Sequence, residues 1–196
     1  MNNFKSTFFT NAVNLVIFVL FITTDQSVDS SELFEAFNAE CLKSHDTHRA
    51  KHKDTNPVKI NHKLVKSADK CAKFLAETNT FRHSPHAGLL YGENQWLALV
   101  SSKAGTKQIY NRLTCNEVIA SWHREQRYYD YKPPKGWHPK NIKQVGHFTQ
   151  LVWRGSKEIG CAKSMNETNR KVYLVCHYLP VGNIPGKYAD NVMREQ

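Results

Sequence analysis

Long apolar runs, repeats and acidic residues are what this 196-residue sequence is short of. After residue 22 no stretch approaches the ~20 apolar residues that a bilayer-spanning helix needs. There is no internal repeat and no low-complexity tract, and a hydrophobic content of 40% excludes a disordered chain. An H-E-x-x-H zinc motif is missing, and so is a G-x-S-x-G nucleophile elbow. Asp and Glu number 17 against 27 Lys and Arg, a net charge of +10. That shortage of acids favours anionic partners: acidic lipid surfaces, sulphated glycans or nucleic acid. The length suits one domain of ordinary size.

Charge is scarce at the start as well. Lys5 is the only charged side chain before Asp25, and Ala12 to Ile22 form an apolar run of about eleven residues, short of a span. A short positive start followed by such a run predicts a secretory signal peptide over residues 1–27. An uncleaved membrane anchor is the competing reading. Cleavage would remove Lys5 and Asp25 together, so the charge would stay at +10. Secreted proteins rarely meet nucleic acid, which leaves lipids and sulphated glycans as the expected partners. Cysteines are few: Cys41, Cys71, Cys115, Cys161 and Cys176. Secretion permits disulfides, and the odd number leaves at least one thiol outside any intrachain pair. Asn166-Glu167-Thr168 is an N-glycosylation sequon, set between Cys161 and Cys176.

Ser31 predicts the N-cap of a first helix, with Leu33, Phe34, Phe37, Cys41 and Leu42 on one side and an end before Asn56-Pro57. His45 and His48 lie three residues apart on it, a spacing that could share a ligand, but the nearby Lys51, His52 and Lys53 favour a solvated basic face. Val58 to Ile60 reads as extended. A second helix is predicted over Asn61 to Thr78, with Leu64, Val65, Ala68, Cys71, Ala72 and Leu75 as its apolar stripe. Arg82 to Gly88 is a loop, Tyr91 to Ala98 enters a short helical or extended element, and Ser101 to Thr106 is again a loop. Cys115, Val118, Ile119 and Trp122 repeat at 3.6 and predict a helix that continues through Glu125 to about Tyr129. Lys132-Pro133-Pro134 breaks it, and Lys132, Lys135, Lys140 and Lys143 offer a basic surface among aromatics. Gly146 to Ser156 is apolar and β-favouring and reads as a mostly buried strand, with His147 at its entrance. Ile159 to Ala162 and Val172 to Tyr178 read as an antiparallel pair whose register brings Cys161 and Cys176 together as a disulfide. Pro180 to Gly186 closes the chain as an ordered loop. With helices first and the main strands last, the class is α+β.

Two stretches carry a resemblance. Gly146-His147-Phe148-Thr149-Gln150-Leu151-Val152-Trp153-Arg154-Gly155-Ser156 is similar to the first signature of the CAP superfamily. Tyr173 to Ile184 is similar to its second. That superfamily holds cysteine-rich secretory proteins, insect venom allergens of the antigen 5 type and plant pathogenesis-related proteins. The short loops and few cysteines look most like its Golgi-associated branch, which is usually intracellular, unlike the signal-like start here. The resemblance implies a three-layer α-β-α sandwich of the CAP (SCP) type, one domain over residues 31–196. It also implies a cleft with two histidines and two acids. His83 in Arg-His-Ser-Pro, Glu93 in Gly-Glu-Asn, Glu125 in Trp-His-Arg-Glu and His147 in Gly-His-Phe-Thr-Gln match those positions. In some members the two imidazoles hold zinc or another divalent ion, with the glutamates flanking them. Secreted members often have three disulfides, but only Cys161 and Cys176 have an obvious counterpart. Cys41, Cys71 and Cys115 fall on predicted helices and read as small buried apolar residues without an assigned pairing. The cysteine-rich C-terminal extension of some secretory members has no counterpart, so the ion-channel activity linked to it is not implied.

Neutral imidazole is a good zinc ligand, and a glutamate on its second nitrogen fixes the tautomer. Two histidines make a thin zinc site beside the three protein ligands usual for catalytic zinc. The expected function is therefore a secreted, non-enzymatic binding protein for lipids (sterol or acidic phospholipid) or anionic extracellular polymers, with His83 and His147 able to hold Zn2+. The competing readings are a metal-assisted hydrolase such as a peptidase on the same four residues, and a protein-interaction module in defence or reproduction. The tetrad can also be a hydrogen-bonded network without metal.

Overall fold

The structure, a computed structural model, describes residues 30–131 and 142–196. The expected signal segment over 1–27 lies outside the described residues, as do Lys132, Lys135 and Lys140. The chain begins with α1 (Ser30–Arg49), a two-residue β1 (Lys59–Ile60) and α2 (His62–Thr78). Next come β2 (Gly92–Leu99), α3 (Lys103–Arg112), α4 (Cys115–His123) and a 3-10 turn over Arg124–Tyr128. It ends with α5 (Ile142–Leu151), the hairpin strands β3 (Glu158–Asn166) and β4 (Lys171–Leu179), and α6 (Tyr188–Asn191). The sheet order is β1-β3-β4-β2, parallel between β1 and β3 and antiparallel elsewhere.

The hairpin is the middle of the sandwich. Along β4 the side chains alternate: Val172, Leu174, Cys176 and Tyr178 enter one core, while Tyr173 and Val175 enter another. The first core is filled from α1, α4 and α5 by Cys41, Val118, Trp122 and Phe148, among others. The second is filled by Ala68, Ala72, Leu75 and Ala76 of α2. Both faces of the sheet are thus covered by helices, which is the α-β-α sandwich expected. Gly160 makes the α2 side possible, because a Cβ there would collide with the backbone of Val65. Asn61 caps α2 by accepting the N–H groups of Lys63 and Leu64. Thr114 and Glu117 form a capping box on α4.

Four expectations need correction. Gly146 to Ser156 is buried as expected, but it is not a strand. Residues up to Leu151 belong to α5, which begins four residues earlier at Ile142. Val145, Phe148 and Thr149 are buried at helical spacing, i, i+3 and i+4. Ser101 to Thr106 is not a loop: the Ser102 hydroxyl accepts the Gly105 N–H and caps α3. Cys41 and Cys115 are joined, tying α1 to α4, while Cys161 and Cys176 are bonded across the hairpin as expected. Cys71 keeps a free thiol.

The fourth correction concerns the end of α1. Lys51 and Lys53 are exposed, but His45, Arg49 and His52 are fully buried. The Arg49 guanidinium donates to the carbonyls of Asn56, Leu151, Trp153 and Ser156 at 2.8–3.1 Å. His45 donates its Nδ1–H to the Cys41 carbonyl at 2.7 Å and meets the Tyr178 hydroxyl at 2.9 Å through Nε2. Backbone carbonyls, not water, take these polar groups.

Candidate functional site

The four tetrad residues come from four places. His83 sits in the loop after α2, Glu93 on β2, Glu125 in the 3-10 turn and His147 on α5. The structure joins them as two pairs. His83 Nδ1 lies 2.7 Å from a Glu93 oxygen, and His147 Nδ1 lies 2.7 Å from a Glu125 oxygen. The imidazoles are open to solvent while the carboxylates are sheltered: the side chain of His83 is 64% exposed and that of Glu93 is 0%. His147 stacks on Trp122, centroids 5.6 Å apart and planes 14° from parallel. A cavity of about 250 Å³ runs between the pairs, lined by His83, Glu93, Asn94 and His147, with Ile142 and the exposed Lys143 at its edge.

Each glutamate accepts several protein donors. One Glu93 oxygen accepts from His83, the Ser84 backbone N–H and the Gln95 amide; the other accepts from His177 Nε2 at 3.0 Å and the Cys71 thiol at 3.4 Å. Burial by itself pushes the Glu93 carboxyl up, but hydrogen bonds from His177, His83 and Ser84 outweigh it and hold the carboxyl well below the usual carboxylate range. Burial, then the charge of Glu93, pushes the Cys71 thiol up to about 12, so it is inert as a nucleophile at neutral pH. One Glu125 oxygen takes His147 Nδ1; the other accepts the backbone N–H groups of His147 and Phe148 at 3.1 Å each.

An ionised carboxylate can only accept, so Nδ1 of each tetrad histidine carries the proton. The neutral ring then has its lone pair on Nε2, and no hydrogen bond to either Nε2 is formed among the described residues. Imidazole nitrogens backed by carboxylates are the donors that zinc-class ions prefer. Sequence reading missed His177, Ser84, Gln95 and Cys71 as partners of Glu93. His177 directly follows Cys176 in the second signature stretch, and strand alternation sends it to the opposite face, beneath Tyr91 at a centroid distance of 4.1 Å.

Residues 42–178 match the profile of the cysteine-rich secretory protein family. Over 157 residues the chain is 33% identical to Protein PRY2 of Saccharomyces cerevisiae, which covers 80% of this chain but only 41% of that protein. It is 31% identical over 160 residues to the Golgi-associated plant pathogenesis-related protein 1 of Homo sapiens, covering 80% of this chain and 92% of that one. Among solved structures, BmVAL-1 superposes with a TM-score of 0.61 at 20% identity, covering 88% of this chain and 86% of the other. NaASP2, solved with Zn2+, superposes with a TM-score of 0.60 at 20% identity, covering 83% and 87%. Profile, relatives and fold agree with the signature stretches and the two buried disulfides: the chain belongs to the cysteine-rich secretory protein family, the CAP superfamily.

Proposed function

We propose that this protein is a secreted, non-enzymatic binding protein whose cleft takes a divalent zinc-class ion on Nε2 of His83 and His147. The observation that carries the reading is the pairing of each Nδ1 with a glutamate, which turns both lone pairs to Nε2. The residues fit such an ion as a donor set of two neutral imidazoles with carboxylate support. With only two protein ligands, the ion would keep open positions for oxygen anions. Lys143 at the edge and the +10 charge favour a phosphate or sulphate there, as carried by acidic phospholipids or sulphated glycans. The structure with Zn2+ of the fold relative NaASP2 is consistent with this choice of ion. Secretion is supported by the N-terminal sequence pattern and by two disulfides, which suit an oxidising compartment.

A hydrolase on the same residues is disfavoured. A general base needs a free carboxylate lone pair near water; Glu93 accepts five hydrogen bonds from protein donors and Glu125 three, which leaves little capacity for one. The test is a calorimetric zinc titration of the wild type beside His83→Ala/His147→Ala. A stoichiometry lower by one zinc in the variant supports the reading, and uptake equal in both sinks it. Flotation with acidic liposomes, with and without zinc and at rising salt, then examines the anionic ligand, since exposed charge contacts weaken as salt screens them.

A further inference from the structure

Among the described residues, four groups of three His, Cys, Asp or Glu side chains bring their ligand atoms within 4.8 Å of one another. Two of them contain cystine sulfurs, which are bonded to each other and do not ligate. The third, Cys71, Glu93 and His177, is the hydrogen-bonded hub of the cleft. The fourth is His52, His123 and Glu195, and the cleft does not use it.

We propose that His52, His123 and Glu195 form a second metal site, for a zinc-class divalent ion, independent of the tetrad. Three segments build it. His52 follows α1, His123 is the last residue of α4, and Glu195 lies on the C-terminal tail. Backbone pairing holds the tail there: Lys53 N–H donates to the Arg194 carbonyl and Gln196 N–H to the Lys51 carbonyl, each at 3.0 Å. The Met193 carbonyl accepts from His52 Nδ1 at 2.7 Å, so that nitrogen carries the proton and Nε2 carries the lone pair. His123 Nε2–H donates to that lone pair at 3.0 Å, the one proton an ion would replace, and a Glu195 oxygen lies 3.7 Å from the same His123 atom.

These spacings suit a metal. Zinc–ligand bonds of about 2.0–2.1 Å at tetrahedral angles put neighbouring ligand atoms about 3.3–3.4 Å apart. The observed 3.0 and 3.7 Å bracket that edge, and the third separation, His52 to Glu195, lies within 4.8 Å. Two imidazoles and one carboxylate form a donor set that zinc uses, whereas calcium and magnesium want oxygen alone. A second observation points the same way. His48 stacks on His123 with centroids 4.4 Å apart, and its buried Nδ1 has no hydrogen-bond partner among the described residues. A cluster built only for hydrogen bonding would have paired it.

The site opens on a depression of about 550 Å³ rimmed by Lys51, Arg124 and Arg127. Those cations oppose a bare dication and favour an anion on its fourth position. The two sites stand back to back. His147 stacks on Trp122 in the cleft, and the next residue of each, Phe148 and His123, meet at 5.6 Å on the far side.

The test is zinc stoichiometry and affinity by calorimetry on the full chain, in wild type, His83→Ala/His147→Ala, and that double variant with Glu195→Gln or His123→Asn added. Circular dichroism checks each fold, and the partly exposed Glu195 gives a substitution that leaves the core untouched. The expected result is one zinc retained by the double variant, weakened at least tenfold by Glu195→Gln and abolished by His123→Asn. If the tetrad binds nothing, the wild type takes up one zinc that His123→Asn removes. A double variant that binds no zinc, or a retained zinc that ignores either added substitution, overturns the proposal.

Discussion

His83 and His147 each hold a carboxylate at 2.7 Å, and His45 and His52 each hold a backbone carbonyl at the same 2.7 Å. Residue type and distance are equal, yet the two regions differ in kind. A carboxylate accepts the Nδ1 proton of each cleft ring and leaves Nε2 without a partner among the described residues. A carbonyl only fixes the tautomer. With burial added, the rings at the end of α1 are kept neutral: desolvation pushes His45 down to about 3. The cleft is an open polar site resting on one buried and one half-buried acid. The α1 region is a polar core with no acid among its buried side chains, open only at the rim where Glu195 stands beside His123.

The strongest way to break this contrast is to cut the bond that holds the sealed region together. Cys41–Cys115 ties α1 to α4 and closes a loop of 74 residues, whereas Cys161–Cys176 closes 15. Loop-closure entropy gives about 4 kcal/mol for the first and about 3 kcal/mol for the second. Denaturant unfolding of Cys41→Ala/Cys115→Ala should show the larger loss, and equal or reversed losses would mean that α1 and α4 hold each other without it.

Acid separates the regions along the pH axis. Between about pH 3 and the usual 6.5, unfolded His45 binds a proton that folded His45 does not, so stability falls as pH drops through that window. His45 contributes at most about 1.4 kcal/mol per pH unit to that slope, and His48 and His123, held down by burial as well, add to it. Glu93 has the opposite starting point: its stabilisation is complete above the usual 4.5 and declines only below it. Stability curves should therefore bend first near pH 6.5, and His45→Gln should flatten that limb while leaving the one below pH 4.5. A limb unchanged by His45→Gln would assign it to other histidines.

The smallest expected effect is in the cleft. Glu125→Gln keeps an acceptor for His147 but removes its charge, and zinc affinity should fall about tenfold with little change in melting temperature. No change in affinity would show that the His147 ring is set by Trp122 stacking alone.

The cleft was legible because His147 lies in a signature stretch and His83, Glu93 and Glu125 each sit in a short motif that the family resemblance matches without the fold. The sealed region was not, because its partners are distant. Arg49 looks like a surface cation beside Lys51 and Lys53, and nothing local reveals that carbonyls 100 residues away receive it. Cys161 and Cys176 share a hairpin whose register is local, so their bond was predictable. Cys41 and Cys115 meet through the packing of two helices, which spacing does not encode. Gly146 to Leu151 was misread because the window began at Gly146 and missed the turn from Ile142 to Val145 that makes the period helical. Ser102 was misread because a serine beside glycine signals a loop as readily as a cap.

Asn166 shows what the hairpin implies for the life of the chain. Its side-chain nitrogen donates to the Ala76 carbonyl and its oxygen accepts the Asn169 N–H, both at 2.9 Å. The amide nitrogen of this sequon is thus engaged where the β3–β4 turn docks against the end of α2. Were the sequon used, sugar transfer would belong to the interval between its emergence and that docking. On a secreted chain the site would work as a timer: the fraction of molecules bearing a glycan would record how long this hairpin waits for its helix.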